Sequence, residues 1–436
     1  MKLRGVNVKL KVACLMFLVL AGSLLNAEAS LPDFQSIIID STIQANSHKP
    51  KVFAVFSKDG YNDLGSLDSQ GFKLYRYTRH WKAYTIFQPG APPSGFEDSS
   101  VADINGDGWN DIVLGGWANR TIWAENPEGE GKDPYTTPWK VHVVDTKRFS
   151  HEVVAAHLTP NGKCDIVTTS GIYFQGKTPD DWTYVDIGRG GQGTCVGNVL
   201  HNHDGYKDVV AIYVKNGKNQ IAWFENPGHT GRNPITGHWK VHIIDPNPGG
   251  DEDNRDMDEM ALTFGDINGA GRPDIIAASM GEGPDPMNDE RQIGDGLVWY
   301  ECPANPRTGV WVKHVIDPAV AWVHATSIQL ADFGGDGHTD ICFAEQDQSR
   351  MRKDDKPGQL LGIYYNVRGN GTVWRLQTLS QYPDQYAGGF NSRVGIIGKD
   401  KLPSILTSRH GFFNDPNPLI LWRNMTHSSL KGGSFR

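Results

Sequence analysis

The chain has 436 residues, a formal net charge of −8, 50 glycines and 25 prolines, and aromatic side chains make up 10% of it. An acidic chain of this kind is a poor match for a nucleic-acid-binding protein. Many glycines, prolines and aromatic residues together favour short strands joined by turns, so the composition predicts an all-β fold.

The first 29 residues have the pattern of a secretory signal peptide. Four basic residues precede or begin an apolar run from Val12 to Leu25, and Ala27-Glu28-Ala29 then forms a small-x-small cleavage pattern. The run is shorter than the roughly 18 apolar residues that a membrane span needs. We therefore expect cleavage after Ala29, a mature domain over residues 30–436, no membrane span, and a secreted or periplasmic location.

The cysteines do not indicate a disulfide scaffold. Removal of the leader leaves four in a chain of about 400 residues, too few for such a scaffold. We expect all four to be buried as small hydrophobic side chains. They are Cys164, Cys195, Cys302 and Cys342.

One acidic segment recurs along the chain and sets the repeat count. Its clearest copy runs from Val101 to Val113 and reads VADINGDGWNDIV. Aligned on their last acidic position, the related segments end at Asp63, Asp111, Asp165, Asp208, Asp274, Asp340 and, in degenerate form, Ser404. Seven copies predict seven structural repeats.

Two further motifs follow each acidic segment. The first is an apolar strand such as Thr121 to Pro127 or Ile221 to Pro227, and the second is a strand that starts with an aromatic residue, such as Trp139 to Asp145. Each unit therefore reads as four short antiparallel strands, A to D, with the acidic loop between A and B. Four such strands make one blade of a β-propeller.

The two ends of the chain share one blade in this reading. Phe34 to Asp40 matches the strand D motif but precedes any strand A, whereas the last repeat ends with its strand C at Leu419 to Asn424. We predict a seven-bladed β-propeller closed by its N-terminal strand, because closure removes the exposed sheet edges of an open array.

The acidic loops have the spacing of calcium-binding loops. Asp103, Asn105, Asp107 and Asp111 stand at positions 1, 3, 5 and 9, and Gly108 permits the turn. A second loop keeps the pattern at Asp332, Asp336 and Asp340. We predict that these seven residues bind structural calcium, with a metal-free turn rich in Asp and Asn as the alternative.

This repeat resembles the integrin-like phenylalanyl-glycyl and glycyl-alanyl-prolyl calcium repeats of known propellers. The resemblance covers roughly residues 34–424 and implies a seven-bladed propeller. It says little about function, because similar repeats occur in integrin heads, fungal lectins, sugar dehydratases and polysaccharide lyases.

The segments that enter strand A and the loops that join strands B and C lie on one face of a propeller, around its axis. Imidazole titrates near neutral pH, and arginine can hold an anion, so this face is the place for chemistry. The predicted catalytic residues are His48, His151, His324 and Arg409. The predicted substrate-binding residues are Gln192, Glu259, Asn391 and His410. The alternative is that these groups cap strands and bind water.

Three other histidines recur in the strand D motif. They are His142, His242 and His314. Because they repeat with the blades, we expect them to be structural and assign them no chemistry.

A second resemblance is narrower. The Trp-x-x-His-x-Ile-Asp and Trp-Phe-Glu-Asn-Pro motifs, with the segment from His48 to Val52, resemble those of exported enzymes that act on rhamnose joined α-1,4 to glucuronate. These are the rhamnosyl-glucuronate lyases and the related α-L-rhamnosidase family. The resemblance implies a catalytic histidine near His48 and a uronate-containing glycan, such as arabinogalactan, as substrate. We also expect a monomer.

A lyase of this class works by β-elimination. A base removes the C5 proton of the uronate, the rhamnosyl oxygen leaves from C4, and an unsaturated uronate remains. Arg409 or a bound calcium ion would offset the carboxylate charge, and His151 or His324 would serve as base or acid.

Three other functions remain open at this point. A glycoside hydrolase would use two carboxylates, for which the candidates are Glu97, Asp98, Glu152, Asp258 and Glu259. A lectin would repeat the same binding residues in several blades, whereas the entry segments here differ between blades and favour one central site. A sugar dehydratase is the third, although the propeller dehydratases carry an additional domain.

Overall fold

The computed structural model describes residues 30–41, 49–78, 80–90, 95–117, 119–248, 260–279, 295–321, 323–346, 358–384, 386–409 and 417–426. Within these ranges the strands form seven antiparallel sheets of four strands each. The predicted signal peptide lies outside the described residues.

The strands follow the order that the repeats predict. Blade 1 contains β2 (Lys51–Val55), β3 (Asn62–Asp68), β4 (Gly71–Arg76) and β5 (Lys82–Phe87). Blade 2 contains β6 (Asp98–Ala102), β7 (Asp111–Gly115), β8 (Thr121–Glu125) and β9 (Lys140–Asp145). Blade 3 contains β10 (Val153–Ala156), β11 (Asp165–Thr168), β12 (Gly171–Gln175) and β13 (Trp182–Val185). Blade 4 contains β14 (Thr194–Gly197), β15 (Asp208–Lys215), β16 (Lys218–Glu225) and β17 (Lys240–Asp245).

The remaining blades continue the series. Blade 5 contains β18 (Met260–Gly265), β19 (Asp274–Ser279), β20 (Leu297–Glu301) and β21 (Val312–Asp317). Blade 6 contains β22 (Val323–Ala331), β23 (Asp340–Glu345), β24 (Leu361–Asn366) and β25 (Trp374–Ser380). Blade 7 contains β26 (Phe390–Gly395), β27 (Ser404–Ser408), β28 (Leu419–Asn424) and β1 (Phe34–Asp40). Short 3₁₀ helices follow strand C in blades 2 and 4, at Pro127–Glu130 and Pro227–Thr230.

The blades form a closed ring. The first strand of each blade contacts the first strand of the next, from β2 through β6, β10, β14, β18 and β22 to β26, and β26 contacts β2 again. The predicted seven-bladed all-β propeller is therefore confirmed. The four cysteines of the described residues, Cys164, Cys195, Cys302 and Cys342, are buried and free, as expected.

A buried carboxylate explains why the acidic repeat begins strand B. Asp111 accepts hydrogen bonds from the backbone N–H of Ile104 at 2.9 Å and of Asn126 at 2.8 Å. Pairs of backbone N–H groups are accepted in the same way by Asp165, Asp208, Asp274 and Asp340. This carboxylate joins the acidic loop to the end of strand C, and it satisfies two backbone donors in each of blades 2 to 6.

The recurring histidines of strand D are structural, as expected. His142 stacks on Trp123 with ring centroids 4.0 Å apart, and His242 stacks on Trp223 at 4.2 Å. A third pair, His314 and Trp299, repeats the geometry at 4.1 Å. The Nε2 atoms of these histidines bond to Glu125, Glu225 and Glu301.

The N-terminal strand completes blade 7, as predicted. β1 pairs antiparallel with β28 from Phe34 opposite Asn424 to Asp40 opposite Leu419. Ile37 and Ile39 pack against a buried cluster that includes Leu406 and Leu421. Closure therefore combines a ladder of backbone hydrogen bonds with burial of apolar side chains.

We expect Ile37→Asp to destabilise the protein by about 2–4 kcal/mol, because it places a charge where β1 packs on the core. Ile38→Asp is the matched control, since Ile38 is 47% exposed, and it should stay within about 0.5 kcal/mol of the wild type. Urea unfolding of the two variants checks this. Equal losses would show that the inward face of β1 does not hold the ring closed.

The strand B carboxylate gives a second prediction. Asp165→Ala leaves the N–H groups of Leu158 and Gln175 without their acceptor, so we expect a loss of about 2–4 kcal/mol in unfolding free energy. Asp186→Ala is the control, because Asp186 accepts one bond from Gly188 at an exposed position. An Asp165→Ala variant as stable as the control would contradict the role given to this carboxylate.

Candidate functional site at the propeller axis

Five blades send a polar side chain to one point near the axis, on the face where the chain enters each first strand. Lys49, Glu97 and His151 precede β2, β6 and β10 by two residues or fewer, whereas His324 and Asn391 are the second residues of β22 and β26. Because these strands form the inner ring, their first residues converge. We refer to these five residues as the axial cluster.

Two histidines lie at the centre of the axial cluster. The Nε2 atoms of His151 and His324 are 3.5 Å apart, and the ring centroids are 4.9 Å apart. Both side chains are almost fully buried, since His151 is 1% exposed and His324 is 2% exposed. The sequence analysis predicted that these histidines share a site, and the structure places them side by side.

Asn391 fixes the orientation of His324. Its Oδ1 lies 2.6 Å from His324 Nδ1 and accepts a bond from Thr326 Oγ1 at 2.5 Å. Its Nδ2 donates to the backbone oxygens of Glu97 at 2.5 Å and Lys49 at 3.3 Å. Asn391 has φ of +47°, a left-handed conformation that asparagine tolerates better than most residues. This one buried amide therefore links blades 1, 2, 6 and 7.

Glu152 performs the matching role for His151. Its Oε1 lies 3.4 Å from His151 Nδ1, and its Oε2 accepts a bond from Gly193 N at 2.8 Å. Arg189 stands 3.9 Å from Oε2 and donates to the Gly193 oxygen. Burial lowers the pKa of Arg189 to about 10, and Glu152 opposes that shift, so the guanidinium remains charged at neutral pH.

Lys49 and Glu97 form an ion pair beside the histidines. Lys49 Nζ lies 2.8 and 2.9 Å from the two carboxylate oxygens of Glu97 and 5.7 Å from the centre of the Phe390 ring. A second lysine, Lys51, is fully buried, and its Nζ donates to the Phe390 oxygen at 2.8 Å. Burial, aided by Arg393, lowers the pKa of Lys51 well below its ordinary value.

An aromatic shelf borders the axial cluster. Trp117, in the loop between β7 and β8, is 54% exposed and packs on Phe149 with ring centroids 5.0 Å apart. Its ring meets the His151 ring edge-on at 4.9 Å. An exposed tryptophan next to a buried polar centre offers a flat apolar face to a ring-shaped ligand.

A cavity of about 410 Å³ opens among the inner strands. Side chains from all seven of these strands line it. Its polar side chains include Asp98 and Arg393, which form an ion pair at 2.7 Å, and Thr326, which contacts Asn391. The cavity thus borders the axial cluster through Thr326, which lines the cavity and donates to Asn391.

The axial cluster contains a set of groups suited to a metal ion. Glu97, His151 and His324 each offer one ligand atom, and these three atoms lie within 4.8 Å of one another. All three residues are buried. Two imidazoles and one carboxylate are a donor set that transition metals accept.

The predicted calcium loops share one turn geometry. Asp103 accepts bonds from the backbone N–H of Gly106, Asp107 and Gly108. Asp332 accepts the equivalent three bonds, from Gly335, Asp336 and Gly337. Asp111 and Asp340 also have the backbone role described above, which the sequence analysis did not assign. Calcium binding by the two loops, that of Asn105 and that of Asp332, stays a prediction.

The other predicted site residues have varied positions. Gln192 adjoins Gly193, which donates to Glu152. Arg409 follows Ser408, the partner of Phe390 in the β26–β27 ladder, so it lies at the same end of blade 7 as Asn391. His48, Glu259 and His410 lie outside the described residues.

Sequence reasoning did not give a role to Lys49 or Trp117. Both lie in segments that the face argument placed around the axis, so a wider search of those segments would have included them. No sequence pattern pointed to Arg189 as the buried partner of Glu152, because their contact depends on how blades 3 and 4 pack.

A family model and one solved structure support the fold. A family model described as an FG-GAP-like repeat matches residues 56–114. A structure of BBS1N in complex with ARL6DN has 10% identity and a TM-score of 0.52, covering 92% of this chain and 99% of that one. An Agrocybe aegerita lectin that recognises non-reducing terminal N-acetylglucosamine has 14% identity and a TM-score of 0.45, covering 85% and 94%.

These likenesses concern the fold alone. No curated protein matches the sequence significantly. The chain contains an FG-GAP-like repeat within a seven-bladed propeller, an architecture compatible with a protein that binds or acts on glycans. None of the helices in the described ranges is long and apolar enough to cross a membrane.

Proposed function

We propose that this protein is a carbohydrate-active lyase that releases L-rhamnose from rhamnose-α-1,4-glucuronate caps of glycans such as arabinogalactan. The observation that carries the proposal is the convergence of five unlike entry residues on one centre at the propeller axis. Repeated lectin sites would place the same residues in several blades, whereas the axial cluster occurs once among the described blades.

The axial cluster supplies the charge that β-elimination requires. Removal of the C5 proton builds negative charge next to the uronate carboxylate, so a cation must offset it. The ammonium group of Lys49 contacts Glu97. Because it has three N–H donors, it can donate to an anionic substrate as well. Arg409 is the second cation assigned to this role.

The base must reach the C5 proton of a bound substrate. The Nε2 atoms of His151 and His324 face each other at 3.5 Å, so we assign proton abstraction to His48, the histidine that the family resemblance also implies. His151 and His324 then have a positioning role in the axial cluster. Trp117 provides the face on which a sugar ring stacks.

Incubation with gum arabic tests the function. We expect free rhamnose together with new absorbance of an unsaturated uronate, both missing from a heat-denatured control. Rhamnose without absorbance would identify a hydrolase with two carboxylates. Glycan binding with neither product would identify a lectin.

The aromatic shelf gives a separate prediction. Trp117→Ala should raise KM about 2- to 13-fold, because a stacking contact of about 0.5–1.5 kcal/mol is lost. The melting temperature should hardly change, since Trp117 is 54% exposed. Trp117→Phe, the matched control, keeps a flat ring and should keep most of the affinity. An unchanged KM in the alanine variant would exclude Trp117 from the sugar site.

A further inference from the structure

We propose that Glu97, His151 and His324 bind one divalent transition-metal ion at the propeller axis, of the class that prefers imidazole nitrogen, such as zinc. This site is separate from the predicted calcium loops, which offer oxygen ligands and lie at the other end of the inner strands. Metal binding at this site does not depend on which reaction the protein catalyses.

Hydrogen bonding fixes the tautomer of each histidine. Asn391 Nδ2 donates to two backbone oxygens, so its Oδ1 faces His324 and can only accept. The Glu152 carboxylate, held by Gly193 N and Arg189, likewise accepts from His151 Nδ1. Each neutral imidazole therefore carries its proton on Nδ1 and presents a lone pair at Nε2.

The two lone pairs face each other. The Nε2 atoms are 3.5 Å apart, and two acceptors at that distance repel each other, so a cation between them would be stabilised by both. Two zinc–nitrogen bonds of about 2.0–2.1 Å at a tetrahedral angle place the nitrogens about 3.3 Å apart. The observed separation is thus close to that of two ligands on one ion.

The surroundings of both histidines match those of metal ligands. A ligating histidine usually donates its second ring N–H to a carboxylate or another oxygen acceptor, which fixes the ring and increases its basicity. His151 has this arrangement with Glu152, which is backed by Arg189, and His324 has it with Asn391. At the axis, the histidine of blade 3 and the histidine of blade 6 therefore each have an oxygen acceptor for the second ring N–H.

Glu97 provides the third ligand and the negative charge. Its oxygens already contact Lys49, but each carboxylate oxygen has two lone pairs, so the group can bind an ion and keep the lysine. The described residues supply three ligands, and a site with three protein ligands has a further coordination position for a substrate atom, as in catalytic zinc sites. This use of the site rests on the proposed function: that position takes the uronate carboxylate of the substrate.

Cobalt(II) titration of the untagged protein tests the site. The protein is stripped with chelator and then kept in excess calcium, so that the acidic loops cannot compete for cobalt. We expect one equivalent of Co²⁺ to bind, with visible absorption bands typical of nitrogen ligation, and Zn²⁺ to displace it. The absence of binding would overturn the proposal and favour a proton shared by the two histidines.

Four variants locate the ion. His324→Ala and Glu97→Gln should weaken Co²⁺ binding at least 10-fold, and Glu97→Gln keeps the shape of the side chain in case the alanine variant does not fold. Glu152→Gln, which changes a positioning residue, should weaken binding about 10- to 100-fold. His157→Ala is the control, because His157 is exposed and bonds to the Lys163 oxygen. Equal affinity in all four variants would overturn the site.

Activity separates the metal site from the proposed reaction. Loss of rhamnose release after stripping, with recovery on adding Zn²⁺, supports the role of the ion. Full activity in stripped protein would overturn that role and leave the lyase in place. Stoichiometric Co²⁺ binding by a protein that releases no rhamnose would overturn the proposed function and leave the metal site in place.

Discussion

Closure of the ring by β1 and β28 is the constraint on which the rest of the structure depends. The two strands come from opposite ends of the chain, and their pairing completes the seventh sheet. With the ring closed, the seven inner strands contact one another in a circle, and the residues at their beginnings have little room to diverge. The polar centre at the axis is a consequence of that crowding.

The axial cluster is held by buried groups that each serve more than one blade. Asn391 bonds to residues of blades 1, 2 and 6 from its place in blade 7. Glu152 joins His151 to Gly193 and Arg189 at the start of blade 4. Such groups are costly to bury unless every partner is in place, so the geometry of the centre depends on correct packing of several blades at once.

Much of the fold could be predicted from the sequence, because each blade repeats the same local chemistry. The seven predicted repeat positions all lie in strand B, from Asp63 in β3 to Ser404, the first residue of β27. The unmatched strand at Phe34 also has the place in blade 7 that its motif predicted. The sequence could not reveal that Asp111 bonds to backbone groups, because its spacing equally fits a metal loop.

The site could be predicted only in part. Strand order alone predicts which face of the propeller each loop occupies, and it therefore predicted that His151 and His324 lie together. It could not supply the distances, the Asn391 hub or the Arg189–Glu152 pair, which arise from packing between blades that are far apart in sequence. Catalysis and calcium binding likewise stay predictions, because neither follows from the position of a residue.

The pairing of the first strand with the last also has a consequence for the timing of assembly. A chain emerging from the ribosome presents β1 long before β28 exists, so the seventh blade must wait until β28 has been synthesised. Contacts so distant in sequence form slowly. Since Asn391 comes from that same blade, the axial centre cannot be complete in a nascent chain that stops before Asn391, and such a molecule lacks the arrangement on which activity would depend.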